Sequence, residues 1–330
     1  MTTPVEDPPR AGREEYSRTA FGLALAIDAR ISLPGLGRSP HTAADDPPSH
    51  VRLDPDELNR RWEALTTTPL RARELRFGET VLLTVDFAEP AGYLMWADGF
   101  GRILISPDGT ELLCEPEPGS NGWANILPFQ ALPLAATIRG LEVMHASGVV
   151  LDDGAVLVAG PPGAGKSSLA AALVRAGGQL LSDDAVALQL RDGALIAHAG
   201  STVLQLRASE GERLSADDRA ALGRHAGTVG EKQRYANDST PDPAPLAGLF
   251  LLAHSDEQPA VEQLAAVDPF ELIASTFNLS VRSPARLQRQ LEVVSAIAAD
   301  KLAHRLRVQP GVNATELAAM IQAHLAVVVA

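Results

Sequence analysis

Three stretches in the first half of the chain, VLLTVDF (81–87), YLMWAD (93–98) and RILISPDG (102–109), alternate apolar and polar residues at the period of a half-buried strand, and the last ends in a PDG turn. They predict a small antiparallel sheet inside a smaller, β-rich N-terminal (α+β) domain covering residues 16–137. From about Ile138 the pattern changes. The run VMHASGVVL, the turn DDG, the apolar run AVLVAG, a glycine-rich loop and the Ala/Leu-rich stretch SSLAAALVRAG follow one another, and this alternation of strand, turn and helix predicts an α/β domain over residues 138–330. Later segments read as a short strand QLL, a hairpin AVALQLRDGALIAHAG and a polar helix near Ser215 to His225. An apolar strand PLAGLFLLAH, helices near Pro269–Phe277 and Pro284–Asp300, a strand HRLRV and a final helix from about Thr315, capped by Asn313, complete the chain.

With 330 residues, 45% of them hydrophobic, the chain can bury one large core or two modest ones. A formal charge of −13 opposes non-specific attraction to nucleic acid or an anionic membrane, so neither is an expected partner. The single cysteine, Cys114, excludes an intramolecular disulfide framework and reads as an ordinary half-buried residue, and no Cys/His cluster has zinc-ligand spacing. The N-terminal MTTPVEDPPRAGREEY has acidic residues and prolines where a signal peptide needs a basic then an apolar stretch, and no apolar run approaches a membrane span. A cytoplasmic location is the default expectation. Residues 1–15 read as a disordered leader, and Gly37 to Ser49, GRSPHTAADDPPS, as an exposed loop.

The strongest chemical signal is the octet Gly160-Pro161-Pro162-Gly163-Ala164-Gly165-Lys166-Ser167, which fits G-x-x-x-x-G-K-[ST] at every fixed position. Its glycines let successive main-chain N–H groups face a β-phosphate, and the helix that opens near Lys166 adds the positive end of its dipole. Lys166 is suited to span the β- and γ-phosphates, the Ser167 hydroxyl to bind Mg²⁺, and Ser168 to extend the cradle. The context fits as well: an apolar run precedes the octet and the helix after it stops at Gly177-Gly178. ATP with Mg²⁺ is the expected ligand.

A phosphate cradle alone does not say whether phosphate is transferred, hydrolysed or sensed. Asp183 and Asp184 close the strand QLL one helix after the cradle, so they are expected at the carboxyl edge of the sheet; there, one carboxylate suits Mg²⁺ and the other suits a proton from an attacking hydroxyl. The plain alternative is an exposed turn and helix cap, for which SDD is good chemistry. His145 lies in VMHASGVV, on the strand before the cradle strand, and is either a satisfied structural histidine or a phosphate-facing one. Lys232 and Arg234, in the polar loop GEKQRY, are either solvated cations or clamps for phosphate oxygens.

Together these residues resemble the catalytic domain of the HPr kinase/phosphorylase family, whose P-loop domain is related to phosphoenolpyruvate carboxykinase. The likeness runs through HxSxVxxxxGxxLxxGPxGxGKSxLAxxLxxxG, here His145 to Gly177, and LxSDDxVxL, here Leu180 to Leu188. The resemblance implies an α/β P-loop fold of that type and places His145 near the transferred phosphate. It implies Ser167 as a metal ligand, Asp183 as catalytic base and Asp184 as the metal-side carboxylate. It also implies a homo-oligomer, since members of the family form hexamers. The likeness ends downstream: where the family carries an ERGLGIINV-like signature this chain reads HAGSTVLQLR, so neither HPr itself as acceptor nor the reverse phosphorolysis is implied. In outline the chain is closer to HPr-kinase-like proteins that accompany peptide-modifying enzymes, lasso-peptide clusters included, and phosphorylate a peptide.

The leading expectation is therefore a kinase that moves the γ-phosphate of ATP to a hydroxyl, a serine of a peptide or small protein. An ATP-sensing binding or regulatory module ranks second, because such a module would keep Lys166 and shed the acid/base residues. A P-loop ATPase of the transport or mechanical kind ranks third, since neither an LSGGQ-like signature nor an apolar run ending in Asp-Glu is present.

Overall fold

A computed structural model of the protein describes residues 15–33, 35–36, 47–120, 122–237, 239–277, 280–309 and 311–328. Most of the leader and residues 37–46 of the Pro/Asp/Ser-rich stretch lie outside these. The fold is mixed α/β and built on three sheets.

The first sheet has eight strands among the described residues: β1 (Glu15–Ala20), β2 (Leu23–Asp28), β3 (Ser49–Leu53), β4 (Leu70–Phe77), β5 (Thr80–Ala88), β6 (Gly92–Ala97), β7 (Gly101–Ile105) and β8 (Glu111–Pro116). Their order is β1-β2-β3-β8-β7-β6-β5-β4, and the helix α1 (Pro55–Glu63) packs against β8. The expected meander of three strands is present as β5, β6 and β7, but the sheet is larger and not wholly antiparallel, because β3 lies parallel to both β2 and β8. Ser49, expected in a loop, opens β3 and donates its buried hydroxyl to the Gly109 carbonyl at 2.8 Å. Cys114 is wholly buried in β8 rather than half-buried, and burial raises its thiol pKa.

A 3₁₀ turn (Trp123–Asn125), a π-helical turn (Leu127–Ala131) and α2 (Leu132–Ile138) lead into the second half. It contains β9 (Glu142–Met144), β10 (Ala146–Leu151), β11 (Gly154–Ala159), α3 (Lys166–Arg175), β12 (Gln179–Ser182), β13 (Val186–Arg191) and β14 (Ala194–His198). Next come β15 (Val203–Arg207), α4 (Ala208–Gly211), α5 (Ala216–Leu222), β16 (Arg224–Val229), β17 (Lys232–Ala236) and β18 (Ala244–His254). The chain finishes with β19 (Ala260–Gln263), α6 (Pro269–Ala274), α7 (Pro284–Ala299), β20 (Ala303–Val308) and α8 (Ala314–Val328).

The second sheet runs β12-β10-β11-β18-β14-β13-β9, with β20 also on β18 and β19 on β20. The all-apolar strands sit at its centre. β11 pairs parallel to β18, which pairs parallel to β20, and Val156, Leu157 and Val158 have no exposed surface, as befits strands covered on both faces. Each such side chain contributes on the order of 1.5–3 kcal/mol relative to exposure. Helix α3 is apolar on nearly every side, Leu169 to Val174 all being buried, because it lies between the sheet and the helices α5 and α8. It stops where the glycine pair predicts. Gly177, at φ 103, lets its own N–H reach the Val174 carbonyl at 3.1 Å while Gly178 N–H reaches Leu173 at 3.0 Å, the paired bonds of a Schellman cap.

The third sheet, β15-β17-β16, occupies the stretch in which the sequence shows no motif. Its Leu204, Leu206 and Tyr235 pack into the cluster that holds α3. Apolar packing also joins the first sheet to the second. Phe21, Leu25 and Ile27 belong to one cluster with Leu141, Val143, Ala185 and Ala187, and Phe21 N–H donates to the Ala199 carbonyl at 2.6 Å. The N-terminal strands are thereby set close to the segment carrying Asp183 and Asp184. No helix among the described residues is long and apolar enough to cross a membrane.

Candidate active site

The loop from Gly160 to Gly165 joins the central strand β11 to α3. Gly163 and Gly165 adopt φ of 80 and 100, a region that side-chain-bearing residues rarely visit, so the chain can turn sharply with its amides inward. Gly165 is also the N-cap of α3 and supplies no side-chain acceptor, which leaves the first-turn N–H groups of the helix open to an anion. Pro161, Pro162 and Gly163 are exposed, Gly160 is half-buried, and Ala164 is buried in the core, its N–H on the Pro161 carbonyl at 3.1 Å.

Lys166 begins α3 almost without exposed surface. Its ammonium donates to the carbonyls of Gly160 at 2.9 Å and Pro161 at 3.3 Å, and sits 3.2 Å from His145 Nε2. Burial lowers its pKa, with the charges of Asp184 and Asp183 working in the other direction. His145 does not lie within a strand as expected. It is the break between β9 and β10, strands that pair with different partners, and its N–H turns to the Ser275 carbonyl at 2.6 Å. Its Nδ1 stands 3.0 Å from the Asp184 carbonyl, which can only accept, so Nδ1 carries the hydrogen and Nε2 offers a lone pair to Lys166. Burial lowers the His145 pKa, the Asp184 charge opposing it, in keeping with a neutral ring.

Asp183 and Asp184 diverge sharply. Asp183 follows β12 inward and is 2% exposed; its Oδ1 accepts from Ser147 Oγ at 2.6 Å and Ser167 Oγ at 2.9 Å, and its Oδ2 from Gln205 N–H at 3.0 Å. Burial raises its pKa, the Ser147 bond counteracting and Asp184 adding to the rise. Asp184 turns the chain at φ 75, and its carboxylate, about one-third exposed, lies 3.5 Å from His145 Nδ1. Of the two carboxylates it is Asp183 that accepts from Ser167, the residue expected as a metal ligand together with Asp184. The left-handed turn at Asp184, just past the end of β12, separates the two carboxylates, one buried on Ser147, Ser167 and the Gln205 amide and the next partly exposed.

Other expectations need revising. Lys232 and Arg234 lie on strand β17 and not in a loop, because GEKQRY closes a hairpin with β16 instead of standing free. Lys232 is exposed, while Arg234 is 6% exposed with its guanidinium 5.0 Å from the centre of the Phe129 ring. Ser168, expected in the cradle, donates its hydroxyl to Glu210 at 2.7 Å. Residues that the sequence reading missed include Ser147, Gln205 and Glu210. Ser147 stands in the quoted HxSxV pattern and was legible there; the other two come from β15 and α4, remote in sequence. A cleft of about 390 Å³ lined by Gly211, Arg219, His225 and Tyr235 contains none of the expected site residues.

Among the described residues no three His, Cys, Asp or Glu side chains cluster as metal ligands. Mg²⁺ needs no such cluster, since it keeps waters and binds through one or two protein groups and phosphate oxygens, a demand that the paired Ser167 hydroxyl and Asp183 carboxylate fit.

No protein-family model and no curated protein matches this chain. Among solved structures it is similar to the HPr(Ser) kinase/phosphatase from Coxiella burnetii, with 13% identity and a TM-score of 0.31 over 57% of this chain and 99% of that one. A likeness this slight leaves function to be read from the site.

Proposed function

We propose that the protein is a Mg²⁺-dependent kinase that moves the γ-phosphate of ATP to a hydroxyl, a serine of a peptide or small protein, by chemistry of the HPr-kinase type. The observation that carries the reading is the convergence on one glycine loop of Lys166, the hydrogen-bonded pair Ser167–Asp183, and the pair His145–Asp184. The sequence motif supports it independently of the fold.

In this reading the loop amides and the open first turn of α3 take the β-phosphate, and Lys166 leaves the carbonyls of Gly160 and Pro161 for the β- and γ-oxygens. Ser167 and Asp183 would hold Mg²⁺, and the metal when bound would supply charge neutralisation at the phosphates. Asp184 is the base, a reversal of the roles suggested by motif alignment, since Asp183 has no free face for an acceptor. As the acceptor oxygen bonds to the γ-phosphorus, the bond from that phosphorus to the β–γ bridging oxygen breaks, ADP leaves, and the hydroxyl proton passes to Asp184. His145 is a positioning residue, holding Lys166 with one ring nitrogen and the Asp184 main chain with the other. The N-terminal strands, as a unit of about residues 16–137, present the acceptor.

Incubation with γ-labelled ATP, Mg²⁺ and the products of adjacent genes, followed by mass spectrometry, tests the reading. A phosphorylated hydroxyl supports it; ATP bound tightly with label reaching neither acceptor nor water favours the sensing module instead.

A further inference from the structure

Arg207 has no part in the motif or in the mechanism above. It closes β15, and the chain on either side of it is tied to the site. Two residues before it the Gln205 N–H donates to Asp183 Oδ2 at 3.0 Å, and three residues after it Glu210 accepts from Ser168 Oγ at 2.7 Å. Between these anchors the Arg207 guanidinium reaches the glycine loop, with Nη2 3.9 Å from the place that a Cβ on Gly163 would occupy. Lys166 is buried at the base of the same loop, whereas Arg207 is exposed.

A second cation stands beside it. Arg207 and Lys232 are directly opposed in the antiparallel pair β15–β17, so both side chains leave the same face of the small sheet. The other face, with Leu204 and Leu206, belongs to the apolar cluster around α3, so the two cations are not needed for packing. Like charges opposed across a strand pair repel. Arg175, on α3, is paired with Asp218 at 2.7 Å, but neither Arg207 nor Lys232 has a carboxylate partner among the described residues. A polyvalent anion in the glycine loop relieves that repulsion. The planar fork of an arginine meets two phosphate oxygens at once, which a lysine does not.

We propose that Arg207, assisted by Lys232, binds the phosphate chain of the nucleotide over Gly163, closing from the solvent side a cradle that Lys166 completes from within. The inference rests on the nucleotide-binding reading above. It makes the three-stranded sheet, where the sequence shows no motif, a part of the phosphate site.

The test is calorimetric titration of the full chain, wild type, R207A, R207K, K232A and R224A, with Mg·ATP and with Mg·tripolyphosphate, which has the phosphate chain without the nucleoside. R207A weakens both ligands roughly 10-fold, as expected of a charge-assisted contact. K232A weakens both by less, and R207K recovers part of the R207A loss. R224A, which removes an exposed arginine of the same sheet, changes neither. The deficit of R207A narrows as salt is raised, because exposed charges are screened. A loss for ATP with none for tripolyphosphate, or a deficit that salt leaves unchanged, marks a merely structural arginine and overturns the inference, as does no loss at all. Should thermal unfolding show R207A to be misfolded, R207Q gives the same comparison. A wild type that binds neither ligand overturns the nucleotide-binding reading and this inference with it.

Discussion

Replacing Asp183 by alanine strands three donors at once, the hydroxyls of Ser147 and Ser167 and the Gln205 amide. Replacing it by asparagine need not. The asparagine oxygen can face the Gln205 N–H while its amide group donates to the two serine oxygens, whose hydrogens rotate to suit. The charge itself carries a sign. Burial holds the Asp183 carboxyl above its ordinary 3.8, so its contribution to folding is greatest below that value and declines as the pH rises through the folded pKa. At neutral pH the asparagine variant is therefore at least as stable as wild type. The alanine variant falls below the asparagine variant by about 3 kcal/mol, three hydrogen bonds at about 1 kcal/mol each. Urea unfolding at pH 7 measures the difference. Phosphoryl transfer by Asp183→Asn drops at least about 100-fold, since a neutral amide cannot balance the metal charge in the transition state, and single-turnover assays over a Mg²⁺ series follow it. Equal stability of the two variants would refute the hydrogen-bond description, and a wild-type transfer rate in the asparagine variant would refute the metal role.

Asp184→Asn is expected to lower kcat by at least about 100-fold with little change in Mg·ATP affinity, because a proton acceptor is lost and the phosphate cradle is kept; pre-steady-state and binding assays separate the two. His304, buried against Phe250 and 3.1 Å from His324 Nε2, has its pKa lowered to about 4 by burial and, secondarily, by His324. The folded state therefore binds fewer protons than the unfolded chain, and the stability His304 contributes is full above 6.5 and lost as the pH falls toward about 4, at most about 3 kcal/mol. His304→Phe should flatten that part of the stability-against-pH curve, read by chemical denaturation at half-unit steps.

The second half of the fold was legible because its strands and helices announce themselves. β11 and β18 are unbroken apolar runs, α3 is bounded by a glycine loop and a glycine pair, and Asn313 Oδ1 accepts from Thr315 N–H at the start of α8 as the capping pattern predicts. The first sheet was legible only in its middle. In β2, LALAID, alanines separate the inward Leu23, Leu25 and Ile27, so the alternation carries no polar beat. In β4, LRARELRF, arginines and a glutamate stand on both faces of an edge strand and resemble a solvated helix. Within the site, residue types were readable and their division of labour was not. The direction in which each aspartate points depends on the left-handed turn at Asp184 and on Ser147, Ser167 and Gln205 arriving from three separate elements.

The claim beneath all of this is that the loop Gly160–Gly165 and Lys166 grip a triphosphate. Calorimetric titration of the full chain with Mg·ATP, alongside Lys166→Ala, tests it most directly. The account predicts saturable one-to-one binding that weakens at least about tenfold when the ammonium is removed. Absence of binding to the wild type, or undiminished affinity in Lys166→Ala, would contradict it.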